Sequence, residues 1–522
     1  MVALAMFVLT LSPAQLYQGL EARHVLLKDG AIVLDARNWA ATKGQGQVTT
    51  DVLDLGGDQV LGVPVTVKDV AVTADADAKA PAAVAVSVRT GTTFFQAPGT
   101  WSDWTDATDK PVAAKGRYVQ VRVRLSSTDA AVLPALKGVK IIGTPEEAGK
   151  VGGQVKVASS AIEKIVRSTV DFGYERQDQP DLAWMRKTFK LDEVIAAPKS
   201  EFDKLRALCT WAASRKNDRS DGWHKEPYYP WNIREALVEK AGGTVFGHCG
   251  SYCEVFVTAA GALGWQGRHV AIEGYRRKSH EVPEVWINEL KKWVYFDPSL
   301  DGTYYDAKTG VPLNMLEMHD DYLKMMYPDG KVQGSLDEDL QKARRVALDW
   351  TKAPIAYKSD LWSYGEKNQD PDLWKSGHGF LCCGWMQMTP RNNFHSQPKP
   401  AFTAFGNGPG SMRDYPYWID AQTGFRSRSI VNWHTRPRDW YWTLNQASMR
   451  LVRTADDTVT VELGTSQPFF KRYVATVNGG KPETVTSPYA WKLAPGDNTL
   501  VVNCEDDFGK PGLPSKVTLT KS

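Results

Sequence analysis

Cys249 stands in Gly247-His248-Cys249-Gly250-Ser251-Tyr252-Cys253. After Gly250 the apolar residues Tyr252, Cys253, Phe256, Val257, Ala260 and Leu263 recur at helical spacing, which predicts a helix starting at or next to Cys249. The free N–H groups and dipole of a helix N-terminus favour an anion, so a thiol there loses its proton more readily. The thiolate is the nucleophile. It needs a base, and the base needs a group that orients it. Downstream, Arg268 to Tyr275 reads as a strand. His280 then opens a second strand through Trp286, Glu289 to Lys292 form a tight turn, and Trp293-Val294-Tyr295-Phe296-Asp297 reads as a third. Adjacent antiparallel strands can bring His280 beside Asp297, which is the triad logic in its cysteine form.

Each of these residues also has a plainer role open to it. A cysteine is most often a small buried hydrophobe, and Cys209 and Cys253 are read that way. His269 lies on an apolar strand and reads as structural. Asp297, before Pro298, is also a turn former. Pro283 lies on the histidine strand and cannot donate to a sheet ladder, which predicts an edge or a bulge near His280.

With Gly264-Trp265-Gln266-Gly267-Arg268 between the cysteine and the histidine, and Asp297 at the end of an aromatic strand before proline, the segment resembles the transglutaminase-like superfamily. Pro312-Leu313-Asn314-Met315-Leu316-Glu317 also looks like its bacterial members. The resemblance covers about 150 to 190 residues. It implies an α+β, papain-like cysteine core over 155–345 with Cys249, His280 and Asp297 as catalytic triad. It also makes Trp223 a candidate oxyanion-stabilising side chain, and His248, next to the cysteine, is a candidate cleft residue. Three functions are compatible with it. One is amide hydrolysis through a thioester, as a peptidase or glycopeptide amidase. Another is acyl transfer to an amine by a protein-glutamine transglutaminase, and the third is a catalytically idle glycan- or surface-binding role. Hydrolysis is the expectation, with an extended peptide, glycopeptide or glycan as partner. No DxDxDG calcium pattern is present, and no cofactor is implied.

The rest of the chain must position this constellation. Its 522 residues suggest three or four domains. Alternation at Val84, Val86 and Val88 and again at Val119, Val121, Val123 and Leu125 predicts half-buried strands. Gly116 to Leu125, Leu133 to Leu136 and Val52 to Gly57 resemble a discoidin-like β-sandwich over 20–145, followed by a Gly-rich linker. Such a module is expected to fold alone and to be dispensable for chemistry. Phe202, Leu205, Leu208 and Ala212 predict a helix, and Asn232 with Glu235 forms a capping-box start. Residues 346–435 lack periodicity but hold Trp350, Trp362, Trp374, Trp385, Trp418 and Trp433, which suggests an ordered aromatic-rich wrap over the catalytic domain. Residues 436–522 return to alternation and turn signals, as in an immunoglobulin- or fibronectin-like β-sandwich.

Apolar residues make up 42% and charged residues 24%, and the net charge is +3. With no long basic run, nucleic acid is not an expected partner. No apolar stretch long enough to span a bilayer follows the N-terminus. Residues 1–14, with an apolar run from Val2 to Leu11 and small residues at Ser12 and Ala14, read as a signal peptide and point to export to the periplasm, the cell surface or the medium. The alternative for this stretch is a buried strand or helix. Six cysteines form no disulfide framework. His378, Cys382 and Cys383 could ligate a metal, against the simpler reading of a crowded loop with a vicinal pair.

Overall fold

The computed structural model describes residues 6–36, 39–57, 59–108, 110–148, 152–215, 233–234, 237, 249–273, 279–306, 308–326, 355–359, 386–396, 416–418 and 433–522. Trp223, Asn232, Glu235, His248, His378, Cys382 and Cys383 lie outside them. The chain divides into two compact units, one from residues 1–169 and 442–522 and one from residues 170–441.

The first unit is built from β-sandwiches. Its N-terminal part has two six-stranded sheets, one centred on Val65–Asp77 and Ala135–Ala148, the other on Ala83–Gly91 and Tyr118–Ser126. The alternating valines do what their period requires. Val86, Val88, Val119, Val121 and Val123 from one sheet meet Val70, Val72, Val139 and Ile141 from the other in a common core. Each such side chain contributes about 1.5–3 kcal/mol when taken out of water.

The stretch expected as a leader is an element of this fold. Phe7–Leu11 pairs antiparallel with Ala135–Ala148, from Phe7↔Gly143 to Leu11↔Val139. Phe7, Leu9 and Leu11 turn inward while Val8 and Thr10 face solvent. The apolar run of 1–14 is therefore in part the inward face of a strand. Ser12 then caps the helix Pro13–Tyr17 in a reciprocal box with Gln15, and Leu16 and Tyr17 enter the core.

The C-terminal sandwich packs a five-stranded sheet around Gly496–Asp506 against a four-stranded sheet around Ala447–Ala455 and Thr458–Thr465. Two of its strands come from elsewhere in the chain. Val155–Ala161, expected to open the catalytic domain, pairs along Ser515–Lys521, and Leu61–Gly62 pairs with Ala447–Ala455. The sandwiches also share a buried ionic cluster. The Asp54 carboxylate accepts from Arg117 at 2.7 Å and from Arg450, and Glu462 accepts from the Tyr118 hydroxyl at 3.2 Å. An N-terminal module that folds alone is thus not what the structure shows. Its removal would leave Arg450 and Glu462 facing absent partners.

The second unit is α+β. Its sheet runs in the order Lys292–Tyr295, Ser279–Ile287, Gly267–Glu273, Met386–Met388, Tyr417–Trp418 and Trp433–His434. The last three strands, together with Ile355–Ser359 paired to Gly302–Asp306, fall in the segment expected to be irregular. Its described parts include these strands, with Met386, Met388, Tyr417 and Trp418 buried, beside the turns of 389–396. The predicted helix is Glu201–Ala213, capped by Ser200, whose side chain accepts from the Asp203 N–H at 3.0 Å. It packs with Cys249–Ala262 on Val285, Ile287 and Val294 of the sheet and on Phe296 just past its end. The unit closes at Tyr441 rather than at 435.

Candidate active site

Cys249 is the first residue of the helix Cys249–Ala262. Gly250 to Ala260 of that helix are buried, so the element is fixed on every side. Cys249 remains partly exposed and forms no disulfide. Cys209 and Cys253 are fully buried, and burial pushes both thiols up, away from reactivity.

His280 lies on the strand Ser279–Ile287, paired with Ile272 on one side. On the other side the ladder sets Glu284 against Tyr295, and the Phe296 N–H donates to the Pro283 carbonyl at 3.0 Å. Continuing that register brings Asp297 opposite Val282, on the same face as His280 and diagonal to it. Pro283 is neither at an edge nor in a bulge, since it pairs with His269 in an inner strand. In an antiparallel ladder a residue's N–H and C=O point to the same neighbour. The donor that Pro283 lacks would have pointed at Phe296, just where the strand Lys292–Tyr295 ends. Its neighbour thus loses its partner one residue before Asp297 turns away.

The turn holds Asp297 firmly. Its Oδ1 accepts from the N–H groups of Ser299 (3.1 Å) and Leu300 (3.2 Å). Its Oδ2 accepts from His280 Nε2 at 2.9 Å and from the Tyr295 hydroxyl at 3.2 Å. Turn former and histidine partner are one residue, with an oxygen for each task. With Nε2 engaged, Nδ1 is left for the thiol, and a side-chain hydrogen bond joins His280 to Cys249. Burial by itself would lower the imidazole's pKa. The charges of Asp297 and Cys249 and the hydrogen bonds to both outweigh it, and His280 is raised to about 10. The arrangement can hold an imidazolium beside sulfur at neutral pH.

The sequence reading missed Tyr295 and Glu254, and took Arg268 only as part of a motif. Tyr295 is two residues before Asp297, on the same strand face, and the alternation of Trp293-Val294-Tyr295-Phe296 could have pointed to it. Arg268 is fully buried and paired with Glu284 at 2.6 Å. Glu284 Oε1 accepts in turn from the Met315 N–H (2.8 Å) and the Tyr441 hydroxyl (3.0 Å). The guanidinium lies over Trp293 at 4.3 Å and Tyr441 at 4.9 Å and also donates to the Trp440 carbonyl. This clamp ties the strand before His280 to the strand bearing it. His269 is buried with its Nε2 3.3 Å from Glu281, as a structural histidine should be. Glu254, on the cysteine helix, is buried with Oε1 unpartnered, and burial pushes its carboxyl up to about 8. Among the described residues no group of His, Cys, Asp and Glu is arranged to hold a metal.

A partly exposed cysteine at a helix start is joined to a buried histidine–aspartate pair on an antiparallel sheet, within an α+β core. Residues 190–298 match the family profile described as the transglutaminase-like superfamily, and the core of this chain is a transglutaminase-like domain. None of the curated proteins matches. Among solved structures, a candidate cysteine protease from Cytophaga hutchinsonii is 10% identical, with 49% of this chain and 75% of that one covered and a TM-score of 0.17. A candidate protease from Parabacteroides distasonis is 9% identical, covering 52% and 68%, with a TM-score of 0.15. Red sea bream transglutaminase is 10% identical over 91% of this chain and 94% of its own, with a TM-score of 0.20. At scores this low the family match, not the superpositions, is the ground for the fold.

Proposed function

We propose that the protein is a cysteine-dependent amide-bond hydrolase that works through a thioester on Cys249. The observation that carries this reading is the 2.9 Å bond from His280 Nε2 to Asp297, with Cys249 hydrogen-bonded to the same imidazole. Cys249 Sγ, its proton on His280, attacks the amide carbonyl. The oxyanion faces the positive end of the Cys249 helix dipole. His280 gives its proton to the departing amine as the C–N bond breaks, which leaves the acyl group on sulfur. Water then attacks the thioester, its proton passes to His280, and the carboxylic acid departs as the thiol re-forms. Asp297 keeps the ring oriented and stabilises its cationic form throughout.

Acyl transfer to an amine uses the same residues and differs only in what reaches the thioester. Incubation with a glutamine-containing peptide and a labelled primary amine separates the two. Release of ammonia with little label incorporated at modest amine concentration is the expected result. Incorporation that outpaces hydrolysis would make the protein an acyltransferase, and the absence of both from wild-type protein, with Cys249 no more reactive to limiting iodoacetamide than a free thiol, would leave a binding role.

A further inference from the structure

The outer face of one sheet in the N-terminal sandwich carries chemistry that the triad does not use. On Tyr118–Ser126, Val119, Val121, Val123 and Leu125 enter the core, so Gln120, Arg122 and Arg124 point the other way. Arg89 reaches the same face from the neighbouring strand, where its guanidinium donates to Gln120 Oε1 at 2.6 and 2.9 Å. Across the sheet, Arg124 pairs with Gln47 and Gln47 with Arg23, which forms a row over three strands.

Two indoles build up this face. Trp104 lies under the Arg122 guanidinium at 4.0 Å and the Arg89 guanidinium at 4.8 Å. Trp101 donates from Nε1 to the Thr93 carbonyl at 3.0 Å, and its ring lies so close on Gly91 that a Cβ there would come within 2.3 Å of it. A glycine is needed at position 91 for the ring to lie flat. Beside the row, Arg23, His24, Gln45, Gln47, Arg124 and Ser126 line a cleft of about 480 Å³.

Of the positive charge here, Arg23 is paired with Glu21, while the other three arginines are not. No ion pair joins Arg89, Arg122 or Arg124 to a carboxylate among the described residues, and Arg122 Nε is buried without a hydrogen-bond partner. Glu21 acts on Arg122 from a distance but is held by Arg23 (3.2 Å), Gln47 (2.5 Å) and Thr49 (3.3 Å). Partial burial, with repulsion of Arg89 by Arg122 and of Arg122 by Arg124, draws both below the ordinary arginine range, and Glu21 opposes this at Arg122.

We propose that this face binds a uronate-bearing polysaccharide, with ring carboxylates on Arg122 and Arg124 and sugar rings against the Trp101–Trp104 platform and the cleft. The planar arginine fork matches a carboxylate in two-point geometry. Arg122 and Arg124 stand two residues apart, roughly 7 Å along the strand. Neutral Gln45 and Gln47 lie beside them, which suits one charge per ring better than a densely phosphorylated or sulfated chain. None of the exposed large apolar side chains among the described residues belongs to this face, so a bilayer would find nothing to take up.

The test is affinity electrophoresis of the full-length protein in gels containing polygalacturonate, with dextran, dextran sulfate, duplex DNA and phosphatidylserine vesicles as parallel arms. Retardation by polygalacturonate, and weakening of it as salt shortens the screening length from about 30 to about 8 Å, is expected. Arg122→Gln with Arg124→Gln should weaken it about tenfold, as loss of charge-assisted pairs does. Lys28→Gln with Lys140→Gln on the opposite sheet should leave it unchanged, and all variants should keep the thiol reactivity of Cys249. Thermal melts check folding, and Arg124→Gln alone serves if the double variant unfolds. No retardation, equal retardation by dextran, stronger binding to sulfate, DNA or vesicles, or full binding by the folded arginine variants would each overturn the proposal.

Discussion

Asp297 reaches His280 along the diagonal of the hairpin, two residues beyond the Glu284–Tyr295 pair, where the ladder has already ended. A carboxylate directly opposite would be a ladder member with its backbone tied to the neighbouring strand. Past the ladder, Asp297 spends one oxygen on its own turn and keeps the other for the ring.

Asp297→Asn should therefore lower kcat/KM by about 10³–10⁴, the loss seen when a triad carboxylate becomes an amide. The pH profile should change as well. His280 is raised to about 10, so its cationic form persists below that pH and is lost above it. Removing the carboxylate lowers that value, and the alkaline limb should move toward the ordinary imidazole range near 6.5. A limb that stays in place in the variant would mean that Asp297 does not set the charge of His280.

Cys249→Ala and the double change Cys249→Ala with His280→Ala should leave nearly equal residual rates, because triad members act as one unit. Single-turnover assays on a small amide substrate give the comparison. A further large drop in the double variant would show His280 working independently of sulfur.

Glu284→Gln should destabilise the catalytic unit by roughly 3–5 kcal/mol, since it leaves Arg268 charged and buried without its partner. Replacing both residues by leucine should cost less than the single change. Denaturant melts of the three proteins test this, and a double variant weaker than the single one contradicts it. Loss of the clamp should also loosen the histidine strand, with kcat falling more than the melt alone accounts for.

Glu254 gives a second pH signature. Its carboxyl is raised to about 8 in the folded chain, above its unfolded value near 4.5. The neutral form suits the fold, so stability is full below about 4.5 and falls as pH rises toward 8. Glu254→Gln removes this loss. The variant should exceed wild type by roughly 3 kcal/mol near pH 7, at about 1.4 kcal/mol per pH unit, and by little at pH 5. Equal melting curves at both pH values would rule this out.

How much of this was legible in the sequence depends on how local each signal was. Cys249, His280 and Asp297 lie on one helix start and one hairpin, so order and spacing were enough to bring them together. Arg268 stood in view as part of a motif, but its partners reach it from Glu284, Trp293 and Tyr441, and no periodicity links those positions. Pro283 was read by the rule that proline avoids inner strands; the rule bends here because the missing donor falls where the adjacent strand stops. The domain borders were hidden for another reason. Val155–Ala161 is an edge strand with six of its seven residues exposed, and a strand that buries almost nothing leaves no hydrophobic alternation to see. Phe7–Leu11 does alternate by burial, but threonine is the only polar residue in it, so the run reads as continuously apolar.

The same edge strand bears on the order of events during synthesis. The first unit is interrupted by 170–441 and resumes at Trp442. Its two crossing points are tied together, with Val166 N–H donating to Thr443 Oγ1 at 3.0 Å and Thr443 N–H to the Val166 carbonyl at 3.1 Å. On the ribosome, Val155–Ala161 and Leu61–Gly62 emerge long before the strands they pair with, and Asp54 long before Arg450. The catalytic unit has left the tunnel by then and can collapse on its own contacts. A nascent chain stopped after Tyr441 should resist brief proteolysis across the Cys249 helix and be cut between Val155 and Ala161, and completing the last eighty residues should close that site. The protein thus finishes its second unit while the first is still open at its own seam.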